Sequence, residues 1–317
     1  MNGLENLIFS LDATLPVFLV MVAGGILGKL GFLPKEFCKA ADKLTFKITL
    51  PVMLFLDMAE VDMVHDFEPK FVLFCAGATL VSILVIWALA RVLVRDKNIV
   101  GEFVQASYRS SAAVLGVAFI QNIYGEAGMA PLMILGSVPL FNIFAVLILM
   151  LEAPGERRTA PRPGQLLRGV ITNPILLGIL AGTVFSLLPV ELPAMAAKTL
   201  DSLASLTTPL ALLSIGASFE GAKAIKKAGP TVVAALIKTV GLAAIFVPCA
   251  LALGFREKEL IALLIMLGSP TTPSSYVMAK NMGYEGVLTA SAIAATTLLS
   301  ALTLTGWIFI LHGGGWL

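Results

Sequence analysis

A chain of 317 residues that is 58% hydrophobic and only 13% charged, with a mean hydropathy of +0.93, is not an ordinary soluble domain, in which about a quarter of residues are charged. The composition predicts a polytopic membrane protein, and the apolar runs have helical length without the period-two alternation of a barrel. The net charge of +2 says little in total, and no nucleic-acid partner is expected.

In chain order, the N-terminal MNGLENLIFSLDATLP has no basic region and no small-residue cleavage site, so no cleavable signal is expected. Apolar windows then fall near 13–33, 44–61, 71–93, 103–123 and 130–151, and again near 171–189, 199–219, 231–254, 259–279 and 287–311. Pro16, Gly24 and Pro51 recur as Pro174, Gly182 and Pro209, each 158 residues on, in segments of the same rank. The chain therefore reads as two sets of five spans, 1–151 and 171–317. The linker 152–170 is rich in Pro and Arg.

Lys and Arg give the direction. Alternate loop regions hold Lys29, Lys35, Lys39 and Lys43; Arg91, Arg95 and Lys97; Arg157, Arg158, Arg162 and Arg168; Lys223, Lys226 and Lys227; and Lys280. The opposite set holds only Lys70, Lys198, Arg256 and Lys258, fifteen residues against four. Both termini are thus expected outside the cytoplasm, with the linker inside. Five spans per set, an odd number, make the second set enter from the other side, so the repeats are inverted, as in many secondary transporters.

The chemistry-bearing residues are few. Pro51 and Pro209 interrupt the second and seventh spans, and each encourages a kink. The fourth span, VQASYRSSAAVLGVAFIQNIYG, carries Arg109, Ser110, Ser111 and Gly116. Arg109 either snorkels to the nearby cytoplasmic end or stands beside a substrate path, because an intramembrane cation is costly. Lys47 has an easy route to the surface. Lys238, deeper in the eighth span, either pairs with Asp201 or lines an interface. The ninth span, LLIMLGSPTTPSSYVMAKNMGY, sets Pro270 and Pro273 among Gly268, Ser269, Thr271, Thr272, Ser274 and Ser275. A continuous helix through 268–275 is strongly disfavoured. Unwound backbone survives in a membrane only where protein or a water-filled cavity satisfies it. A half-helix N-terminus there would attract an anion.

Other chemistries lack residues. Cys38, Cys75 and Cys249 are isolated, and no His, Cys or carboxylate cluster has metal-ligand spacing, so no disulfide frame, metal or cofactor is expected. HExxH, GxSxG and an intraspan carboxylate pair are missing, which argues against an intramembrane enzyme. An anion channel stays open as an alternative to a carrier, as do the coupling ion and a homodimer.

Together and in order, LPVMLFL, SYRSSAAVLGVAFIQNIYG, TNPILLGILAG, TTPLALLSIGASF and SPTTPSSYVMAKNMGY resemble the auxin efflux carrier family. The resemblance covers essentially the whole chain. It implies an all-α fold of ten transmembrane helices in two inverted five-helix repeats, with broken helices 4 and 9 crossing at the substrate site. It also implies a bacterial inner-membrane carrier of a small organic anion, a mono- or dicarboxylate such as malate or malonate. The residues expected to hold that anion are Ser110, Ser111, Gly116, Pro270, Thr271, Thr272 and Ser274, with Arg109 and Lys238 as nearby charges. Family members often carry Asn and then Pro where this chain has Ser111 and Ala118, and Asn where it has Ser274.

Overall fold

A computed structural model describes residues 3–59, 68–112, 120–121, 128–155, 163–188, 190 and 192–317. Among them the regular structure is helical: α1 (Gly3–Lys29), α2 (Lys35–Leu44), α3 (Leu50–Ala59), α4 (Pro69–Leu93), α5 (Val100–Tyr108), α6 (Ala130–Leu151), α7 (Pro163–Ile171), α8 (Pro174–Ser186), α9 (Ala194–Ala204), α10 (Thr207–Ala217), α11 (Gly221–Lys226), α12 (Ala228–Leu236), α13 (Leu242–Ala252), α14 (Glu257–Gly268), α15 (Ser274–Asn281) and α16 (Val287–Gly313). Among the described residues, five helical stretches are long and apolar enough to cross a membrane: Pro69–Leu93, Ala130–Leu151, Ala194–Ala217 (α9 with α10), Ala228–Ala252 (α12 with α13) and Val287–Gly313.

Several bounds differ from the hydropathy windows, for physical reasons. The second window opens at 44, yet helix already starts at Lys35, because α2 carries its apolar and polar residues on different faces and buries Cys38, Ala41 and Asp42. A hydropathy average misses such a segment. The π-helical turn Thr45–Thr49 joins α2 to α3, and a second one, Ile237–Gly241, joins α12 to α13. Pro51 follows the first of these directly, while Pro209 follows the break between α9 and α10. A proline cannot donate to the carbonyl four residues back, so irregular turns collect there. Helix α7 lies partly inside the stretch expected as linker.

Burial inverts the pattern of a soluble protein. The outer faces of α4 and α8 expose Leu73, Val92 and Leu180, as expected of a surface that meets lipid. In contrast, every residue of α5 is buried, and so is Leu260–Gly268 of α14. Helices covered on all sides lie in the middle of a bundle. They pack with α6, α12, α13 and α16 around one apolar core containing Phe103, Met133, Leu264 and Leu304.

Two helix pairs pack especially closely, α3 on α8 at the side of that core and α1 on α10 in a second, smaller cluster. A Cβ added at Gly24 would collide with the carbonyl oxygen of Leu213, and one at Gly182 with that of Phe55. Small residues let backbones approach where lipid supplies no hydrophobic drive. Gly24 and Gly182, like Phe55 and Leu213, are separated by the same 158 positions.

Candidate functional site

Two buried helices stop in mid-bundle and face one another. Helix α5 ends at Tyr108, where Arg109 turns extended (φ −69°, ψ 132°). Helix α14 ends at Gly268, where Ser269 does the same (φ −67°, ψ 158°), and helix resumes only at Ser274. The second break has the cause read from the sequence, since Pro270 and Pro273 lack the N–H that a continuing helix requires. The first has no proline. Its cause is tertiary: the Ser111 N–H donates to the Pro270 carbonyl at 2.9 Å, so each interrupted strand of backbone satisfies the other.

Helix ends leave orphan carbonyls, and here opposing side chains take them. The Thr271 hydroxyl donates to the Ala106 carbonyl at 2.7 Å, while its N–H reaches Thr296 Oγ1 at 3.1 Å. The Ser110 hydroxyl donates to the Met266 carbonyl and accepts from Ser269 at 3.1 Å. Lys238 is fully buried, and its Nζ donates to the Leu267 carbonyl. Of the two expectations for Lys238, pairing with Asp201 or lining an interface, the structure puts its Nζ at the end of α14, where the C-terminal dipole favours a cation. The π-helical turn Ile237–Gly241 carries Lys238 at this depth.

Arg109 does not snorkel. It is 3% exposed and its guanidinium is held inside the bundle. Gln105 Oε1 lies at 3.0 Å from one terminal nitrogen, and Asn142 Oδ1 at 2.8 Å and Ser274 Oγ at 3.0 Å from the other. Arg109 Nε has no partner among the described residues. The head group thus bridges the first break and the start of α15.

The residues expected to bind an anion serve two ends, and Ser110 shares in both. Ser110 and Thr271 are committed to fastening the breaks. Arg109, Ser110, Ser111, Thr272 and Ser274 line one small cavity of about 30 Å³, together with Met53, Asp57 and Asn142. Thr272 and Ser274 hydroxyls lie 3.2 Å apart. Pro270 and Thr271 border an adjoining gap of about 20 Å³ with Ser111, Thr208 and Pro273. Gly116 lies outside the described residues. Lys238 stands behind the break rather than in either cavity, and Pro51 and Pro209 lie on the flanking helices.

Sequence reading passed over Asp57, Gln105 and Asn142. Their signal was present, because Asp57 in LPVMLFLDMA and Asn142 in APLMILGSVPLFNIFAVLILML are polar residues in apolar helices, and such residues mark functional positions.

A wider cavity of about 300 Å³ opens on the Lys280 side, between α2, the end of α10 and α15. Tyr276 lines it, two residues along α15 from Ser274 of the small cavity.

Comparison with known proteins places the chain among membrane transport proteins. A protein named "Putative malonate transporter" from Rhizobium meliloti (strain 1021) is 23% identical over 307 residues, covering 95% of each chain. The family model described as "Membrane transport protein" matches residues 9–308. The chain, an all-helical integral membrane protein, belongs to that family, the auxin efflux carrier family of membrane transport proteins.

Proposed function

We propose that the protein is a secondary carrier of a small organic carboxylate, bound where the two interrupted helices meet. The observation that carries this reading is Arg109, a buried guanidinium whose fork is turned onto Ser274 at the start of a half-helix, with one nitrogen still available. A planar fork of donors suits a carboxylate, and the hydroxyls of Ser111, Thr272 and Ser274 add neutral donors. The name of the malonate transporter relative supports a dicarboxylate.

The cavity of about 30 Å³ has room for a water molecule or two and not for an organic acid. Cargo therefore enters only when the walls part, which favours alternating access of one bundle against another over an open channel. In this reading ten spans form two inverted repeats, 1–151 and 171–317, joined by 152–170 on the cytoplasmic side of a bacterial inner membrane. The matched approach of Gly24 to Leu213 and of Gly182 to Phe55 supports such a repeat, because exchanging the two halves turns one contact into the other.

The test is exchange in liposomes. Reconstituted protein loaded with malonate should take up labelled malonate saturably, with competition by related acids and none by neutral or cationic analogues. Flux that rises linearly without counterflow would make it a channel, and saturable movement of a cation with none of any carboxylate would overturn the reading.

A further inference from the structure

The carrier reading uses the small cavity and leaves the larger one, whose floor is unusual. Asp42 is 5% exposed, yet its Oδ1 has no hydrogen-bond partner among the described residues. The same is true of Tyr276 OH and Ser214 Oγ, in residues only 2% and 3% exposed. The three interact: Ser214 lies beside both the Asp42 carboxyl and the Tyr276 hydroxyl, and the latter two also face each other. Buried polar atoms are normally paired, and each exception calls for a reason. Here the three belong to different elements, α2, α10 and α15, and two of them, Asp42 and Tyr276, line the cavity of about 300 Å³.

We propose that Asp42 is the site of a coupled proton, loaded and released through this cavity and linked to cargo by α15. Opposing influences act on its carboxyl. Burial disfavours the charge, while the neighbouring Ser214 hydroxyl and the Lys280 ammonium favour it. The balance turns on whether water fills the cavity. With water present, Asp42–COOH transfers its proton to water, leaving the carboxylate facing Lys280 and forming hydronium. With water expelled, an ionised carboxyl with an unpaired oxygen is too costly to bury, and Asp42 takes the proton back.

The link to cargo is short. Helix α15 carries Ser274 against Arg109 and Tyr276 against Asp42, and Asn281 donates to the Asp42 carbonyl at 3.1 Å. Any shift of α15 that accommodates a carboxylate at its start alters the surroundings of Asp42.

The other charged groups around the cavity are Lys35 and Lys39 on α2, Glu220 and Lys223 after α10, Lys280 on α15, and Glu285 beyond it. Glu220 pairs with Lys223 at 3.1 Å, and Lys227 reaches Glu285 at 2.9 Å. That hydrogen bond holds the Glu285 carboxyl below the usual carboxylate range, so it stays ionised and does not compete for the proton. The Lys280 ammonium beside Asp42 also opposes a bound sodium ion.

The proposal rests on the carrier reading, and the experiment separates the two. Reconstituted wild-type protein should accumulate malonate when a pH gradient is imposed, by up to about tenfold per pH unit for one proton per cargo. A proton flux, read with a trapped pH dye, should follow malonate addition. Asp42→Asn should keep malonate exchange at zero gradient while losing most of the gradient-driven accumulation, and Glu285→Gln, which removes the other carboxylate near Lys280, should keep both. Exchange without proton movement in the wild type, a sodium requirement, or coupling lost in Glu285→Gln but not in Asp42→Asn would overturn the proposal and leave the carrier standing. Failure of the wild type to exchange any carboxylate would instead remove the carrier. Infrared difference spectra of wild type with labelled aspartate need no cargo. A protonated-carboxyl band that grows between pH 8 and pH 5, assigned to Asp42 by its loss in Asp42→Glu or Asp42→Asn, is expected, and no change of that band over the range overturns the proposal.

Discussion

The Glu102 carboxylate accepts from both the N–H and the hydroxyl of Thr289, at 3.0 Å and 2.9 Å, across 187 positions of sequence. It also accepts from the Gly286 N–H at 3.2 Å. Glu102 thereby supplies, from α5, the cap that the start of α16 lacks in its own sequence. Gly286, the N-cap residue, is left-handed (φ 73°) and carries no side chain to do so.

Truncation at this point strands three donors in a buried place. Glu102→Ala should lower stability by about 2–4 kcal/mol, since unsatisfied buried donors and lost charged hydrogen bonds each cost about 1–3 kcal/mol. Glu102→Gln, which retains one acceptor oxygen, should cost less. Thermal unfolding in detergent measures both, and equal stability of Glu102→Ala and wild type would remove the cap from the account.

The glycine contacts give a paired expectation. Gly24→Ala and Gly182→Ala should each destabilise the fold by about 1–3 kcal/mol through overpacking, and by similar amounts if the halves are related. Gly77→Ala and Gly306→Ala, where nothing lies within 4 Å of an added Cβ, should be neutral or stabilising by up to about 1 kcal/mol. Melting temperatures of the four variants, compared side by side, test the pattern.

Arg109→Lys keeps a cation but loses the fork that reaches Gln105, Asn142 and Ser274 together. Carboxylate affinity should fall about 10- to 100-fold, the equivalent of one charged hydrogen bond of about 1.5–3 kcal/mol. Ser110→Ala should act differently, lowering stability more than affinity, because that hydroxyl, though at the cavity, already donates to the Met266 carbonyl. Binding and unfolding measured on both variants distinguish the roles.

Replacing Pro270 and Pro273 together by Ala should allow the 269–273 gap to regain helical hydrogen bonds. Uptake should then fall sharply at matched amounts of folded protein. Normal binding and transport by this variant would move the site elsewhere.

Orientation is open to labelling. In a cysteine-free background, single cysteines at Asn2 and Gly314 should react with an impermeant reagent outside intact cells, and one at Gly164 should not. The reverse pattern would invert the assignment drawn from the basic residues.

Membrane class, an all-helical fold and the break in the ninth span were legible in the sequence because they depend on local quantities. Apolar run length sets what lies in lipid, and Pro270 and Pro273 forbid helix wherever the chain places them. The fourth-span break was barely legible, since Ser110 and Ser111 tolerate helix. It exists because the Pro270 carbonyl and the Thr271 hydroxyl arrive from far along the chain to satisfy the interrupted backbone. For the same reason sequence left open whether Arg109 snorkels or turns inward and where Lys238 finds its acceptors. A long cationic side chain reaches either way, and only the tertiary placement of Asn142, Ser274 and the end of α14 decides which direction offers hydrogen bonds enough to hold a charge inside the bundle.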